Sequence, residues 1–166
     1  LSLNPGVEDD FIDQECSMFD YVSEIIKSFE DISNKEFILN NIQDTNSFKI
    51  TKLIEIVYGI RNFVGNANKF AKKKIYISIK SDNQSTEISI EDDGNGYSKD
   101  VLNKIGEPYI KSPSNDDKTK SGLGLGIFIG KTLLERNGAE VICRNSKTRS
   151  GAEVLLIWKN KDLKNL

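Results

Sequence analysis

The sequence has 166 residues, 37% of them apolar, enough for one domain with a real core. Its 25 acidic and 23 basic side chains leave a formal charge of -2, and the basic residues are not gathered into one run, which speaks against a nucleic-acid surface. Two cysteines exclude a disulfide scaffold, and the complete lack of histidine means that any imidazole chemistry must come from another chain or segment.

In chain order, residues 1–15 hold Pro5, Gly6 and an acidic run and are expected to form a linker or the frayed end of a preceding helix. Phe19, Val22, Ile25, Ile26 and Phe29 recur at helical spacing after Ser17. Glu36–Ile42 is a predicted strand. A long helix is predicted over about 48–71, with Ile50, Leu53, Ile54, Val57, Ile60, Val64, Ala67 and Ala71 as its apolar stripe. Lys74–Lys80 and Thr86–Glu91 alternate apolar and polar residues across a polar turn, the pattern of a hairpin. A short helix is predicted over 98–105, then a loop over Lys111–Ser121, then a helix from about 123 to 136 stopped by Asn137-Gly138. Glu140–Arg144 and Ala152–Lys159 read as a second hairpin, and the last residues as a polar tail. No apolar run approaches the roughly 18 residues of a membrane span. The expected architecture is α+β: a mixed sheet of about five strands with helices on one face, the domain covering 16–160 and the tail 161–166.

Three stretches are unusual. Residues 61–70 (RNFVGNANKF) place Asn62, Asn66 and Lys69 away from the apolar stripe, at about 100° per residue. A solvated polar face is the ordinary explanation, but Asn is a poorer helix former than Glu or Lys, and here it recurs at i, i+4. Stacked carboxamides offer neutral oxygens to a hard cation and donors to phosphate oxygens, while Lys69 adds a positive charge and Phe70 a flat wall.

Asp92-Asp93-Gly94-Asn95-Gly96 follows an alternating strand directly. A carboxylate at the strand end could accept from an exocyclic amine, and Gly94 and Gly96 would let a ligand approach the backbone. Gly122-Leu123-Gly124-Leu125-Gly126 is expected to open a helix, where free N–H groups and the dipole favour phosphate, with Lys118 and Lys120 just before it. It is neither a Walker A loop nor a dinucleotide fingerprint.

Together these motifs resemble the ATP-binding catalytic domain of bacterial sensor histidine kinases, in the superfamily that also holds gyrase and Hsp90. Asn62-x-x-x-Asn66-Ala67-x-Lys69-Phe70 is similar to the N box, Asp92-x-Gly94-x-Gly96 to the first glycine box, and Gly122 to Gly126 to the second. Gly106-Glu107-Pro108-Tyr109 stands where the F box belongs, with Tyr109 in place of Phe. Gly151-Ala152 stands where many members have Gly-Thr. The terminal SGAEVLLIW, GEPY and LLERNGAE resemble the redox-responsive RegB-type subgroup.

The resemblance implies the Bergerat fold, ATP and Mg2+. It implies that Asn66 holds the metal with Asn62 assisting, that Lys69 contacts phosphate and that Asp92 reads adenine beside Phe70. The segment from Gly122 to Gly126 would wrap the triphosphate under a basic lid carrying Tyr109, Lys111 and Lys120. Asn62, Asn66 and Lys69 form the implied catalytic set. The ATPase and serine-kinase branches carry a Glu at the place of Asn62; an amide cannot take a proton near neutral pH, so the expected acceptor is a histidine, which needs no base.

That histidine is expected on an upstream dimerisation and phosphotransfer domain, with a response regulator receiver domain as the next partner and neither nucleic acid nor membrane contact by this domain. The sequence starts at Leu1 without Met and is expected to be a cytoplasmic piece of a membrane-anchored sensor with reduced thiols at Cys16 and Cys143. An ATPase or serine kinase of the superfamily and a nucleotide-gated interaction module are the competing readings.

Overall fold

The computed structural model describes residues 15–44, 49–105 and 118–166. Its first half runs β1 (Glu15–Cys16), α1 (Met18–Glu30), β2 (Glu36–Asp44), β3 (Ile50–Thr51), α2 (Ile54–Phe70) and β4 (Lys74–Ser81). The second half runs β5 (Ser85–Asp92), α3 (Lys99–Lys104), α4 (Lys118–Arg136), β6 (Glu140–Asn145), β7 (Ala152–Lys159) and α5 (Asn160–Lys164).

Alternation builds the sheet. Ile75, Ile77 and Ile79 of β4 are buried on one face, as are Ile88 and Ile90 of β5 and Val154, Leu156 and Trp158 of β7. The register brings them side by side: Ile77 pairs with Ile90, Ile79 with Ile88, and Leu156 with Ile88. The five strands lie in the order β2-β4-β5-β7-β6, with β2 and β4 parallel and the other pairs antiparallel. β1 and β3 form a separate two-stranded antiparallel ribbon. The sheet is therefore mixed and apolar on one face, as expected.

Helices cover that face. Ser17 caps α1 by accepting the Asp20 N–H at 3.2 Å, and the helix buries Met18, Tyr21, Val22, Ile25 and Ile26. The Tyr21 hydroxyl donates to the Leu53 carbonyl at 2.7 Å, fixing α1 to the entrance of α2. α2 buries Ile56, Gly59, Ile60, Phe63, Val64 and Ala67. It lies against α4 through glycines: a Cβ on Gly59 would stand 2.5 Å from Leu134 Cγ, and one on Gly130 would stand 2.8 Å from the Phe63 ring. Bare backbone at these points lets the two helices approach closely.

The structure departs from the sequence reading in four places. The long helix starts at Ile54, because the β-branched pair Ile50-Thr51 is drawn into the ribbon with β1. Its buried stripe is consequently rotated: Ile54 is 62% exposed, and Phe63, absent from the predicted stripe, is buried. α4 begins at Lys118, earlier than the predicted 123, so the last four residues of the expected loop are helical and 111–117 lie outside the described residues.

The chain end, expected as a polar tail, is the short helix α5 with Leu163 buried in the core. Asn160 anchors it. Its amide donates to the Asp82 carbonyl and accepts from Thr86 Oγ1, both at 2.7 Å, so a buried polar group clips the end of the chain to the β4–β5 turn. Of the expected linker, all but Glu15 lies outside the described residues.

Candidate functional site

β5 ends at Asp92, and beside that end a cavity of about 240 Å³ opens between α2 and the sheet. From α2 it receives Phe63, Asn66, Ala67 and Phe70, and from the sheet Ile90, Asp92, Ala152 and Val154. The turn after β5 adds Asn95, Gly96, Tyr97 and Ser98, and α3 adds Val101. The walls are mostly apolar, with one carboxylate, two carboxamides and the hydroxyl of Ser98, the composition of a slot for a flat heterocycle with a polar edge.

Asp92 is only 4% exposed. Its Oδ1 accepts from the Gly94 N–H at 2.8 Å and the Ala152 N–H at 3.3 Å, which leaves Oδ2 for a ligand. Burial pushes its carboxyl above the usual range, and these two hydrogen bonds offset only part of that. The carboxylate is therefore held ionised at a cost to folding, which appears as pH rises past the ordinary Asp value. Gly151 is forced by this arrangement: a Cβ there would stand 2.0 Å from the Asp92 carbonyl oxygen and 2.2 Å from its Oδ1.

Asp93 has a separate duty. Its carboxylate accepts from the backbone N–H groups of Lys72, Lys73 and Lys74, at 2.7 to 3.2 Å, joining the end of β5 to the α2–β4 turn. Burial would raise its pKa, but the three donors outweigh it and hold the carboxyl below its ordinary value.

The first glycine pair does two different things. Gly96 lines the cavity with φ +76°, a conformation that suits glycine. Gly94 does not line it; a Cβ there would stand 2.2 Å from the Phe70 carbonyl, so this glycine lets the turn press against the end of α2.

From α2, Asn66 reaches the cavity with a buried amide whose nitrogen has no hydrogen-bond partner among the described residues. Such an orphan is costly unless something else satisfies it. Asn62, one turn earlier, lies off the cavity lining, and its amide donates back to the Tyr58 carbonyl at 2.7 Å. Lys69 also lies off the lining, its ammonium 5.3 Å from the centre of the Phe70 ring. The C-terminal turn carrying both is fixed by Lys35, whose ammonium donates to the carbonyls of Asn68 and Lys69.

The second glycine box is not at a helix entrance. Gly122, Leu123, Gly124, Leu125 and Gly126 fall inside α4, past its first turn. A Cβ on Gly126 would stand 3.2 Å from both Asn66 amide atoms, and Gly130 follows one turn later against Phe63. Close packing on α2 at these two points outweighs the roughly 1 kcal/mol that each glycine costs a helix. Leu125 is exposed. Lys120 lies in the first turn of the same helix, and Tyr109 and Lys111 lie outside the described residues.

Of the residues singled out in the sequence, the cavity thus gathers Asn66, Phe70, Asp92 and Gly96. Sequence reasoning missed Phe63, Tyr97, Val101 and Asn95. Phe63 was concealed by the shifted start of α2, whereas Tyr97 carried a usable signal: an aromatic directly after the glycine box.

Residues 51–162 match the family described as histidine kinase-, DNA gyrase B- and HSP90-like ATPases. The chain is 34% identical over 119 residues to the sensor histidine kinase RegB of Cereibacter sphaeroides, covering 63% of this chain and 26% of that protein. It is 28% identical over 99 residues to the sensor histidine kinase CpxA of Escherichia coli K12, covering 60% of this chain and 21% of that protein. The chain therefore spans about a quarter or less of these relatives. The catalytic domain of histidine kinase ThkA superposes with a TM-score of 0.68 at 18% identity, over 88% of this chain and 94% of that one. Full-length ShkA, solved in complex with AMPPNP, superposes with a TM-score of 0.69 at 18% identity, over 87% of this chain and 30% of that one. These superpositions show the fold: the mixed sheet with its helical cover is that of histidine kinase catalytic domains. The chain belongs to the histidine kinase-, DNA gyrase B- and HSP90-like ATPase family.

Proposed function

We propose that this chain is the catalytic domain of a two-component sensor histidine kinase, binding Mg-ATP and donating the γ-phosphoryl group to a histidine outside itself. The observation that carries this is a single cavity lined by both Asp92 and the orphaned amide of Asn66. In it, Asp92 Oδ2 would accept from the adenine amine, Phe70 would flank the ring, and Gly96 would leave room for the backbone to close on it. Lys69, at the end of α2, would swing from Phe70 onto a phosphate.

The residues fit a hard cation. Among the described residues no cluster of three His, Cys, Asp or Glu could hold a metal alone. Mg2+ is ordinarily held by one or two protein ligands together with phosphate oxygens, and a carboxamide oxygen from Asn66, assisted by Asn62, would supply that much. The ion, when bound, neutralises charge on the transferring phosphoryl group. This chain's own part is to bind, orient and exclude water. Asn62 and Asn66 are amides and take no proton, which suits an acceptor imidazole with a free lone pair better than water or a hydroxyl.

With no histidine in the sequence, the acceptor belongs to another segment or chain, such as a dimerisation and phosphotransfer domain, and a response regulator receiver domain would take the phosphoryl group onward. Among the described residues no helix is long and apolar enough to cross a membrane. We place the domain on the cytoplasmic side of a membrane-anchored sensor, where ATP is found.

The test is to incubate the chain with γ-labelled Mg-ATP and a separately supplied histidine-bearing dimerisation domain. Label on that histidine is the expected result. ATP binding without any labelling would overturn the kinase assignment, and steady phosphate release by the chain alone would place it with the superfamily's ATPases.

A further inference from the structure

Tyr97 lines the cavity, and Asn145 at the end of β6 holds its backbone at two points. Its N–H donates to Asn145 Oδ1 at 2.6 Å, and its carbonyl accepts from Asn145 Nδ2 at 3.1 Å. Asn145 thus gives Tyr97 the reciprocal pair of bonds that a neighbouring strand would give, but through a side chain.

The residue before Tyr97 is shaped to the same contact. Gly96 stands at φ +76°, and a Cβ on it would lie 2.7 Å from Asn145 Oδ1. Beyond Asn145, the β6–β7 turn is sewn to the same segment. Ser146 Oγ donates to the Glu91 carboxylate at 2.8 Å, and Ser150 Oγ donates to the Asp93 carbonyl at 3.3 Å. β6 is the edge strand of the sheet and supplies none of the cavity lining itself. Its reach into the cavity runs through Tyr97.

We propose that Asn145 is a positioning residue for the nucleotide's base: it fixes the backbone of Tyr97 so that the phenol ring walls the slot in which a purine would lie beside Asp92. This rests on the nucleotide reading above. It assigns to the edge strand a part in substrate recognition, and it confines that part to the heterocycle, leaving the phosphates to α2 and α4.

The experiment titrates the chain with adenosine, followed by NMR, and with Mg-ATP, followed by calorimetry. Asn145→Ala is expected to weaken both ligands by a similar factor, roughly tenfold, because the lost support is at the end they share. Asn66→Ala is expected to weaken Mg-ATP by a larger factor than adenosine. In a Tyr97→Ala background, where the wall is already gone, Asn145→Ala should cause no further loss, a non-additivity that a merely structural brace would not produce.

Parental adenosine affinity in Asn145→Ala, a loss seen with Mg-ATP alone, or full additivity with Tyr97→Ala would each overturn the proposal. Asn145→Asp keeps the acceptor for the Tyr97 N–H and is expected to restore part of the adenosine affinity. Where the alanine variant does not melt cooperatively, Asn145→Asp takes its place with an expected loss of about threefold, and parental affinity in it overturns the proposal. Failure of the parent chain to bind either ligand would instead sink the nucleotide reading itself.

Discussion

Asp92 and Asp93 are adjacent carboxylates with opposite thermodynamic signs. Asp92 is pushed up by burial, so its ionised form costs stability at neutral pH; Asp93 is held down by the N–H groups of Lys73, Lys74 and Lys72 against the opposing effect of burial. Replacing Asp92 by Asn keeps an Oδ1 for Gly94 and Ala152 but turns the ligand-facing oxygen into a donor. We expect Asp92→Asn to bind Mg-ATP at least about tenfold more weakly, from the loss of one charge-assisted hydrogen bond. Its melting temperature at neutral pH should equal or exceed the parent's, read by calorimetry with and without nucleotide. Asp93→Asn should behave inversely. The stabilisation by Asp93 is present above its unfolded pKa and is lost as pH falls through its lower folded value, so the parent's advantage in melting temperature should shrink between about pH 6 and about pH 3. A constant difference across that range would contradict the assignment. The glycine box singled out Asp92 in the sequence and left Asp93 without a role; only the turn at residues 72–74 shows that Asp93 is structural while Asp92 lines the cavity.

At the scale of elements, the strands were the most legible part, because period-two alternation in Lys74–Lys80 and Thr86–Glu91 is a direct image of a one-faced sheet. Helix starts were the least legible. Ile50-Thr51 carries residues a helix tolerates, and only its pairing with Glu15-Cys16, some 35 positions away, assigns it to a strand. The second glycine box was misplaced for a related reason: it was expected to open its helix, yet Gly126 lies inside α4 and, with Gly130 a turn later, packs against α2. That interface touches the site. A methyl group on Gly130 would stand 2.8 Å from the ring of Phe63, a residue of the cavity wall. Gly130→Ala should therefore cost about 1–3 kcal/mol in urea unfolding and also reduce nucleotide affinity, as Phe63 is displaced toward the slot. Unchanged affinity alongside the stability loss would show that the ring moves elsewhere. Asn66 was legible for the opposite reason, since an amide mid-helix defies local preference, and Asp92 because it ends an alternating strand directly before the glycine turn.

For the molecule as a whole, one apolar sheet face and its helical cover form a single core, running from Met18 of α1 to Leu163 at the chain's end. Ile88 stands at its centre, wholly buried and flanked by Ile79 and Leu156 in register. Ile88→Ala should lower unfolding free energy by about 2–5 kcal/mol in a single cooperative transition, measured by denaturant titration. Two separate transitions would argue against one shared core. The lone tryptophan offers a practical corollary. Trp158 is fully buried opposite Thr86, six residues along β5 from Asp92, or roughly 20 Å at strand spacing. Its fluorescence should register loss of the native state yet ignore whatever enters the slot. One cuvette can then follow unfolding through the indole while an extrinsic dye on the ligand follows occupancy, with neither signal contaminating the other.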